Sequence, residues 1–328
     1  GGFGRRLNTP NAVQAAVLSK AVGKPVHVFF DRKEEFQHDF FRPPTHHVLK
    51  AKLDNNGKIE AIEHNLSSGD VAFGSPMIPG YAPIVLGADL GAWRGGMIQY
   101  NAIPNYRAIS WRVKLPFATS WWRGLGLLAN TFAIESFMDE LAHKAKKDAV
   151  EFRLEQIKDD EKGKRLKNVI KAAAEKSGWG KSLPKGRALG FAASVDVTTP
   201  VAQVVEISME SGEFIIHKVT CAIDPGLVVN PDGVKAQCEG AIIMGMSAAM
   251  FEKMEIHDNK LTPTIYGEFE YKMALMKHAP KEIDIVLLES TGRPSGVGEP
   301  PIGPIGAAIA NAIFNLTGKR LRSLPLVG

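Results

Sequence analysis

Residues 201–222 read VAQVVEISMESGEFIIHKVTCA, two apolar-rich runs joined at Glu210-Ser211-Gly212. Alternation along each run fits a strand with two different faces, and a short glycine-containing link fits a hairpin. An upstream stretch repeats the pattern. Residues 47–53 (HVLKAKL) alternate, Asp54-Asn55-Asn56-Gly57 supply turn chemistry, and residues 58–63 (KIEAIE) alternate back. Around these hairpins the period becomes helical. Val13, Ala16, Val17 and Ala21 share one face over 11–21, and further helices are predicted at 130–146, 148–157 and 164–176. Two more follow, one started by Pro231 and running to 250, the other at 305–316 and stopped by Gly318. Strands are also expected at 25–31 (PVHVFFD), 106–115, 189–197, 252–256 and 283–288, whereas 69–104 is rich in Gly and Pro and reads as a long structured loop.

Hairpins interleaved with helices predict an α+β fold of two domains, each a mainly antiparallel sheet with helices packed on one face. The first is expected over 1–160 and the second over 186–328, joined by a charged helical linker at 161–185. Within that linker Leu166, Val169, Ile170 and Ala173 share a face, so its basic residues read as a solvated helix surface rather than an anion site.

The 328 residues carry 40 Lys and Arg against 35 Asp and Glu, a net charge of +5 spread along the chain. That distribution gives no basic arm and argues against a nucleic-acid partner. With 45% hydrophobic and 23% charged residues the chain is neither disordered nor built around an apolar membrane-length run. Cys221 and Cys238 match no disulfide, zinc or iron–sulfur spacing and read as small buried hydrophobes. The chain opens on GGFGRR without an initiating Met, as if inside a motif, so it is expected to be a fragment. Any targeting signal would then lie outside it.

Few residues invite chemistry. Glu299 stands in GVGEPP, its backbone fixed by Pro300 and Pro301 and its approach opened by Gly296 and Gly298. The alternative is an exposed carboxylate at a helix start. Gly1-Gly2-Phe3-Gly4 lacks the spacing of a dinucleotide fingerprint and fits a turn needing positive φ. Ser247 lies within a predicted helix rather than on a nucleophile elbow. His38, His46 and His47 lack metal-ligand spacing and read as surface or hairpin residues.

Taken in order, GGFGRR, TSWWRGLG ahead of FAIESFMDELA, VVNPDGVKAQCEGAIIMG and SGVGEPPIGPIGAAIANAIFNLTGKRLRSLPL resemble the molybdenum hydroxylases of the xanthine oxidase and aldehyde oxidase family. Within that family they are most similar to the branch of the isoquinoline 1-oxidoreductase beta subunit and related aldehyde dehydrogenases. The resemblance implies molybdopterin-binding domains. Gly2, Phe3 and Gly4 would pass over the molybdenum with backbone N–H groups near its apical oxygen, Arg123 would lie close to the same centre, and Gln237 would contact the cofactor. Glu299 would be the catalytic base in an oxidation whose oxygen comes from water. No protein side chain would ligate the metal, which a pterin dithiolene holds. Where many relatives carry a glutamine after the Arg-Gly segment, this chain has Leu128-Ala129-Asn130, so the glutamine's role is either unfilled or taken over by Asn130.

The resemblance further implies the cytosine dinucleotide form of the cofactor and a small-molecule substrate, either an N-heterocycle or an aldehyde. It implies as partners an upstream part of the same subunit, a small [2Fe-2S] subunit carrying the only iron–sulfur clusters, and a downstream electron acceptor. The fragment alone would be inactive. Bacterial periplasm or membrane association is expected over cytoplasm. The competing reading is a catalytically inactive scaffold or binding module that keeps the fold, and Glu299 in its GVGEPP setting favours the enzyme.

Overall fold

The computed structural model describes residues 2–75, 77–267, 270–288 and 290–327. Helix α1 (Pro10–Val22) has proline in its first turn and stops at Gly23, φ 65°. Helix α2 (Arg32–His38), unforeseen in the sequence, is capped by the Asp31 carboxylate, which accepts from the Glu34 N–H. The first hairpin pairs β1 (Thr45–Leu53) with β2 (Ile59–Ser68). The Asp54 carboxylate shapes its turn by accepting from the N–H groups of Asn56 and Lys58. The expected loop at 69–104 contains two short helices, α3 (Ala82–Leu86) and α4 (Leu90–Trp93), and then β3 (Asn105–Arg112) joins the sheet parallel to β2.

Three helices follow, α5 (Leu127–Ala145), α6 (Ala149–Glu155) and α7 (Glu161–Ser177). The second sheet has the order β4 (Arg187–Asp196), β5 (Thr199–Glu210), β6 (Glu213–Ile223) and β9 (Glu282–Leu287). Its first three strands are antiparallel, and β9 runs parallel to β6. Ser211 and Gly212 both take positive φ, 51° and 85°, the geometry a two-residue hairpin turn demands. Between β6 and β9 lie α8 (Pro231–Met250) and a ribbon of β7 (Glu255–His257) and β8 (Lys260–Thr262). Helix α9 (Ile305–Thr317) ends on Gly318 at φ 74°.

The fold is α+β, with further differences from the sequence reading. Helices do not keep to one face of the second sheet: α8 and α9 cover one side through Cys238, Ile242, Ile309 and Ile313 against Val201 and Val205. On the other side Ala202 and Val204 of β5 meet Val169 and Ile170 of α7 and Ile134 and Met138 of α5. Helix α7 is therefore a packed element rather than a linker, with Val169, Ile170 and Ala173 fully buried. Residues 25–31 form no strand, and Phe29 is 80% exposed. No described strand lies beside them to complete a ladder. Cys221 and Cys238 are free and buried, as expected of small hydrophobes. No described helix is long and apolar enough to cross a membrane.

A buried ion pair ties the halves together. The Glu135 carboxylate on α5 accepts from Arg153 Nε of α6 (2.8 Å), Tyr100 O–H (2.7 Å), Gln99 Nε2 (3.1 Å) and the backbone N–H of Ala193 on β4 (3.0 Å). Both charged side chains are 0% exposed. Arg153 also donates to the carbonyls of Ala149 and Glu135. Four donors use the full capacity of a carboxylate, the condition under which a buried charge is tolerated.

A second buried polar chain runs under α4. The Gly96 carbonyl can only accept, so His64 Nδ1 carries the hydrogen (3.0 Å) and His64 Nε2 accepts from His47 Nδ1 (3.0 Å). His47 Nε2 then accepts from the Thr45 hydroxyl (3.0 Å). Neutral imidazoles satisfy every link, and a proton on both rings at once would set two N–H groups against each other. Burial, with the neighbouring His64 and His46, pushes His47 down to about 3 from an ordinary 6.5, and burial lowers His64 as well.

Two outcomes are expected. Ile170→Ala, which empties the α7 contact, should destabilise the protein by about 2–5 kcal/mol in denaturant unfolding, whereas a solvated linker helix would lose only a few tenths. Above about pH 6.5 both histidines are neutral folded or unfolded; below it the unfolded chain takes up protons that the folded chain refuses. The melting temperature should therefore fall as pH drops from 7 to 4, and His47→Phe should flatten that dependence.

Candidate active site

The sequence GGFG begins where backbone geometry is most demanding. Gly2, Phe3 and Gly4 have φ of 153°, 51° and 105°, and a Cβ on Gly4 would lie 2.8 Å from the backbone carbon and oxygen of Trp121. Glycine is required there. The loop is thus pressed onto the Trp121-to-Leu125 turn, where Arg123 N–H donates to the Phe3 carbonyl (2.9 Å). Phe3 itself is 59% exposed.

Arg123 is the hub. Its Nε donates to the Gly298 carbonyl (2.6 Å), and its Nη2 donates to the backbone carbonyl and the Oε1 of Gln237 on α8 (3.0 and 3.1 Å). One guanidinium therefore joins the turn before α5, the helix α8 and the loop before α9. Burial lowers it from its ordinary value while Glu299 pulls the other way, and it remains a cation. Behind the turn, Arg42 donates to the carbonyls of Leu125 (2.8 Å) and Arg123 (3.1 Å) and stacks at 4.0 Å on the Trp122 ring. Burial pushes Arg42 down to about 10. A cavity of about 1130 Å³ opens on that rear side, lined by Arg42, Trp122, Leu128, Phe132 and Tyr271, and Glu299 takes no part in it.

Glu299 directly precedes a 3₁₀ turn, Pro300–Ile302. Its Oε1 accepts from the Gly124 N–H (2.9 Å) and its Oε2 pairs with Arg94 Nη2 (2.7 Å). The side chain is 37% exposed, so the carboxylate is held yet reachable. Arg94 also grips Asp196 through Nε (2.5 Å) and Nη2 (2.6 Å). Burial raises the Asp196 carboxyl above its ordinary value, against the pull of Arg94.

The loop before Glu299 is clamped on the β4–β5 turn. Thr198 Oγ1 bonds Ser295 Oγ (2.9 Å), Thr199 Oγ1 donates to the Gly296 carbonyl (2.8 Å), and Ser295 Oγ donates to the Val197 carbonyl. Val197 and Thr198 sit at φ 42° and 67°, an unfavourable region for β-branched residues. Such strain persists where surrounding contacts over-determine it.

All six residues singled out from the sequence, Gly2, Phe3, Gly4, Arg123, Gln237 and Glu299, fall in this one cluster. Asn130 does not reach it directly: its amide donates to the carbonyls of Ala92 and Arg94 (2.9 and 2.8 Å). Sequence reading missed Arg94 and Asp196. The available signal was an echo, Trp93-Arg94-Gly95 repeating Trp122-Arg123-Gly124 inside a glycine-rich stretch.

Two features fit a cofactor held by hydrogen bonds rather than by side-chain ligation. The N–H groups of Phe3 and Gly4 have no partner among the described residues, which leaves two adjacent backbone donors for anionic oxygens. The buried indole N–H of Trp121, whose backbone lies against Gly4, is likewise unpartnered among the described residues. No group of three or more His, Cys, Asp or Glu among the described residues could hold a bare metal ion.

Comparison with known proteins agrees with this donor set. Residues 1–157 and residues 125–280 each match a molybdopterin cofactor-binding domain. The chain is 34% identical to the membrane-bound aldehyde dehydrogenase [pyrroloquinoline-quinone] of Gluconacetobacter polyoxogenes, over 99% of this chain and 45% of that protein. It is 33% identical to the isoquinoline 1-oxidoreductase subunit beta of Brevundimonas diminuta, over 99% of this chain and 41% of that protein. It thus spans less than half the length of these relatives. Quinoline 2-oxidoreductase from Pseudomonas putida 86 superposes with a TM-score of 0.77 at 13% identity, covering 100% of this chain and 66% of that one. Aldehyde oxidoreductase from Desulfovibrio gigas gives 0.76 at 17% identity, covering 99% and 53%. Sequence, fold and the donor cluster converge: the chain belongs to the molybdenum hydroxylase family, with molybdopterin-binding domains over residues 1–157 and 125–280.

Proposed function

We propose that this chain forms the catalytic, molybdopterin-binding part of an oxidoreductase subunit that oxidises an aldehyde or hydroxylates an electron-poor N-heterocycle of the isoquinoline type, with Glu299 as general base. The observation that carries this reading is the Glu299 carboxylate, anchored at both oxygens and still 37% exposed, beside the Arg123–Gln237–Gly298 knot. The aldehyde and isoquinoline names of the two sequence relatives supply the substrate classes. The name of the first relative carries pyrroloquinoline-quinone; the domains matched here are molybdopterin-binding, and the cofactor proposed follows them, in its cytosine dinucleotide form.

When bound, the molybdenum–pterin group supplies a two-electron acceptor and a place for oxygen derived from water. The chain supplies the rest. The N–H groups of Phe3 and Gly4 and the Gln237 amide donate hydrogen bonds to the cofactor, and Arg123 fixes Gln237 and Gly298 in place to receive it. A carboxylate has about four lone-pair directions, of which Gly124 and Arg94 take one each. Glu299 therefore keeps acceptor capacity for the proton that leaves the oxygen nucleophile as it attacks carbon. In balance, substrate C–H and water become C–OH, two protons and two electrons. The electrons leave through a small [2Fe-2S] subunit to a further acceptor, and the rest of the large subunit completes the cofactor cradle, so that these domains alone do not turn over. Periplasmic or membrane-associated placement is proposed on the membrane-bound name of the first relative.

In the full-length subunit purified with its small partner, Glu299→Gln should lower turnover of benzaldehyde and isoquinoline by about 10²–10⁴-fold while molybdenum content, measured by elemental mass spectrometry, stays at the wild-type level. Near-wild-type turnover would remove Glu299 from the role of base. Absence of molybdenum in the wild type, from a host that matures a related enzyme, would favour the scaffold reading instead.

A further inference from the structure

Arg94 lies outside every segment that carries the family resemblance, yet it is the cation in direct contact with Glu299. Its Nη2 is shared between two carboxylates, Asp196 Oδ2 at 2.6 Å and Glu299 Oε2 at 2.7 Å, while its Nε holds Asp196 Oδ1 at 2.5 Å. The guanidinium is itself fixed. Asp196 is 5% exposed at the end of β4, and the Asn130 amide pins the carbonyls of Ala92 and Arg94 to the first turn of α5. With Gly124 N–H on Oε1, the carboxylate is gripped from two sides at defined angles.

We infer that Arg94 is the positioning residue of the site, orienting the Glu299 carboxylate so that its open lone pairs face the reacting centre. The inference rests on the reading of Glu299 as base. The chemistry demands arginine. A planar fork can satisfy Asp196 with two nitrogens and spend the second hydrogen of Nη2 on Glu299, whereas the single nitrogen of a lysine cannot keep that geometry. Without a cation here the buried Asp196 would repel Glu299 and turn it away. The other charged groups near Glu299 are Arg123, which binds the Gly298 carbonyl, and Arg42 behind the Trp122 ring; neither donates to the Glu299 carboxylate. Asn130 acquires a role in the same arrangement. From the first turn of α5 it secures the backbone that presents Arg94.

The test uses the complete holoenzyme with benzaldehyde and isoquinoline and an artificial electron acceptor. R94M alone strands a buried carboxylate, so the paired variant R94M/D196N is made beside it, together with R94K, E299Q and the triple variant. R94M/D196N should lose about 10–100-fold in kcat, the range in which misplacement of a catalytic group falls, with KM changed less than about threefold and molybdenum content unchanged. R94K should fail to restore kcat. The melting-temperature loss on removing the Arg94–Asp196 pair should shrink in the E299Q background, a coupling read without turnover. Wild-type kcat in R94M/D196N, a molybdenum loss matching the activity loss, or additive melting shifts would each overturn the role of Arg94 while leaving the base assignment standing. Full turnover in E299Q would sink the base assignment first, and the coupling measurement would still report whether Arg94 holds residue 299.

Discussion

The Glu135 carboxylate is the constraint from which the site follows. It sits in a dry junction where an unpaired charge would cost several kcal/mol, so its four donors must arrive together. Two of them, Gln99 and Tyr100, belong to the crossover leading into β3, and a third is the backbone of Ala193 on β4. Arg94 precedes Gln99 by five residues and Asp196 follows Ala193 by three. Registering the two segments at Glu135 therefore brings Arg94 and Asp196 within bonding distance, and their pair in turn receives Glu299. A stability device and a functional device share one scaffold.

Charge balance in the site is equally spare. Arg94 and Arg123 face Asp196 and Glu299, two cations for two anions, and each guanidinium gives three bonds to oxygen acceptors drawn from separate segments. Non-glycine residues in positive φ collect around this cluster: Phe3, Leu125, Val197 and Thr198. Each is held by contacts from another segment, so the strain is spread over a mutual clamp of three loops rather than stored in one turn.

Legibility in the sequence tracked how local the signal was. The hairpin at Glu210-Ser211-Gly212 and helix α8 behind Pro231 depend on neighbours in the chain, and their residues announce them. The β4–β5 hairpin was invisible because Val197-Thr198 carries no turn residue; the clamp from Ser295 and Gly296 enforces it from a hundred residues away. Helix α7 read as a linker because its charges dominate its composition, although Val169 and Ile170 had already marked the face that packs. PVHVFFD looked like a strand because an apolar run does not reveal whether a partner strand exists. Its glycine and proline neighbours singled out Glu299, resemblance supplied Arg123 and Gln237, and only coordinates paired Glu299 with Arg94.

Each sheet ends on a strand parallel to its neighbour, β3 beside β2 and β9 beside β6. Parallel neighbours need long crossovers, and Arg94 lies in the first of these while Gln237 lies in the second. Hairpins are low-contact-order units that close quickly; crossovers close only after a large loss of chain entropy. On that ground the two hairpins are expected to close before the crossovers that carry Arg94 and Gln237. Closure in that order would make the site the last part of the fold to assemble.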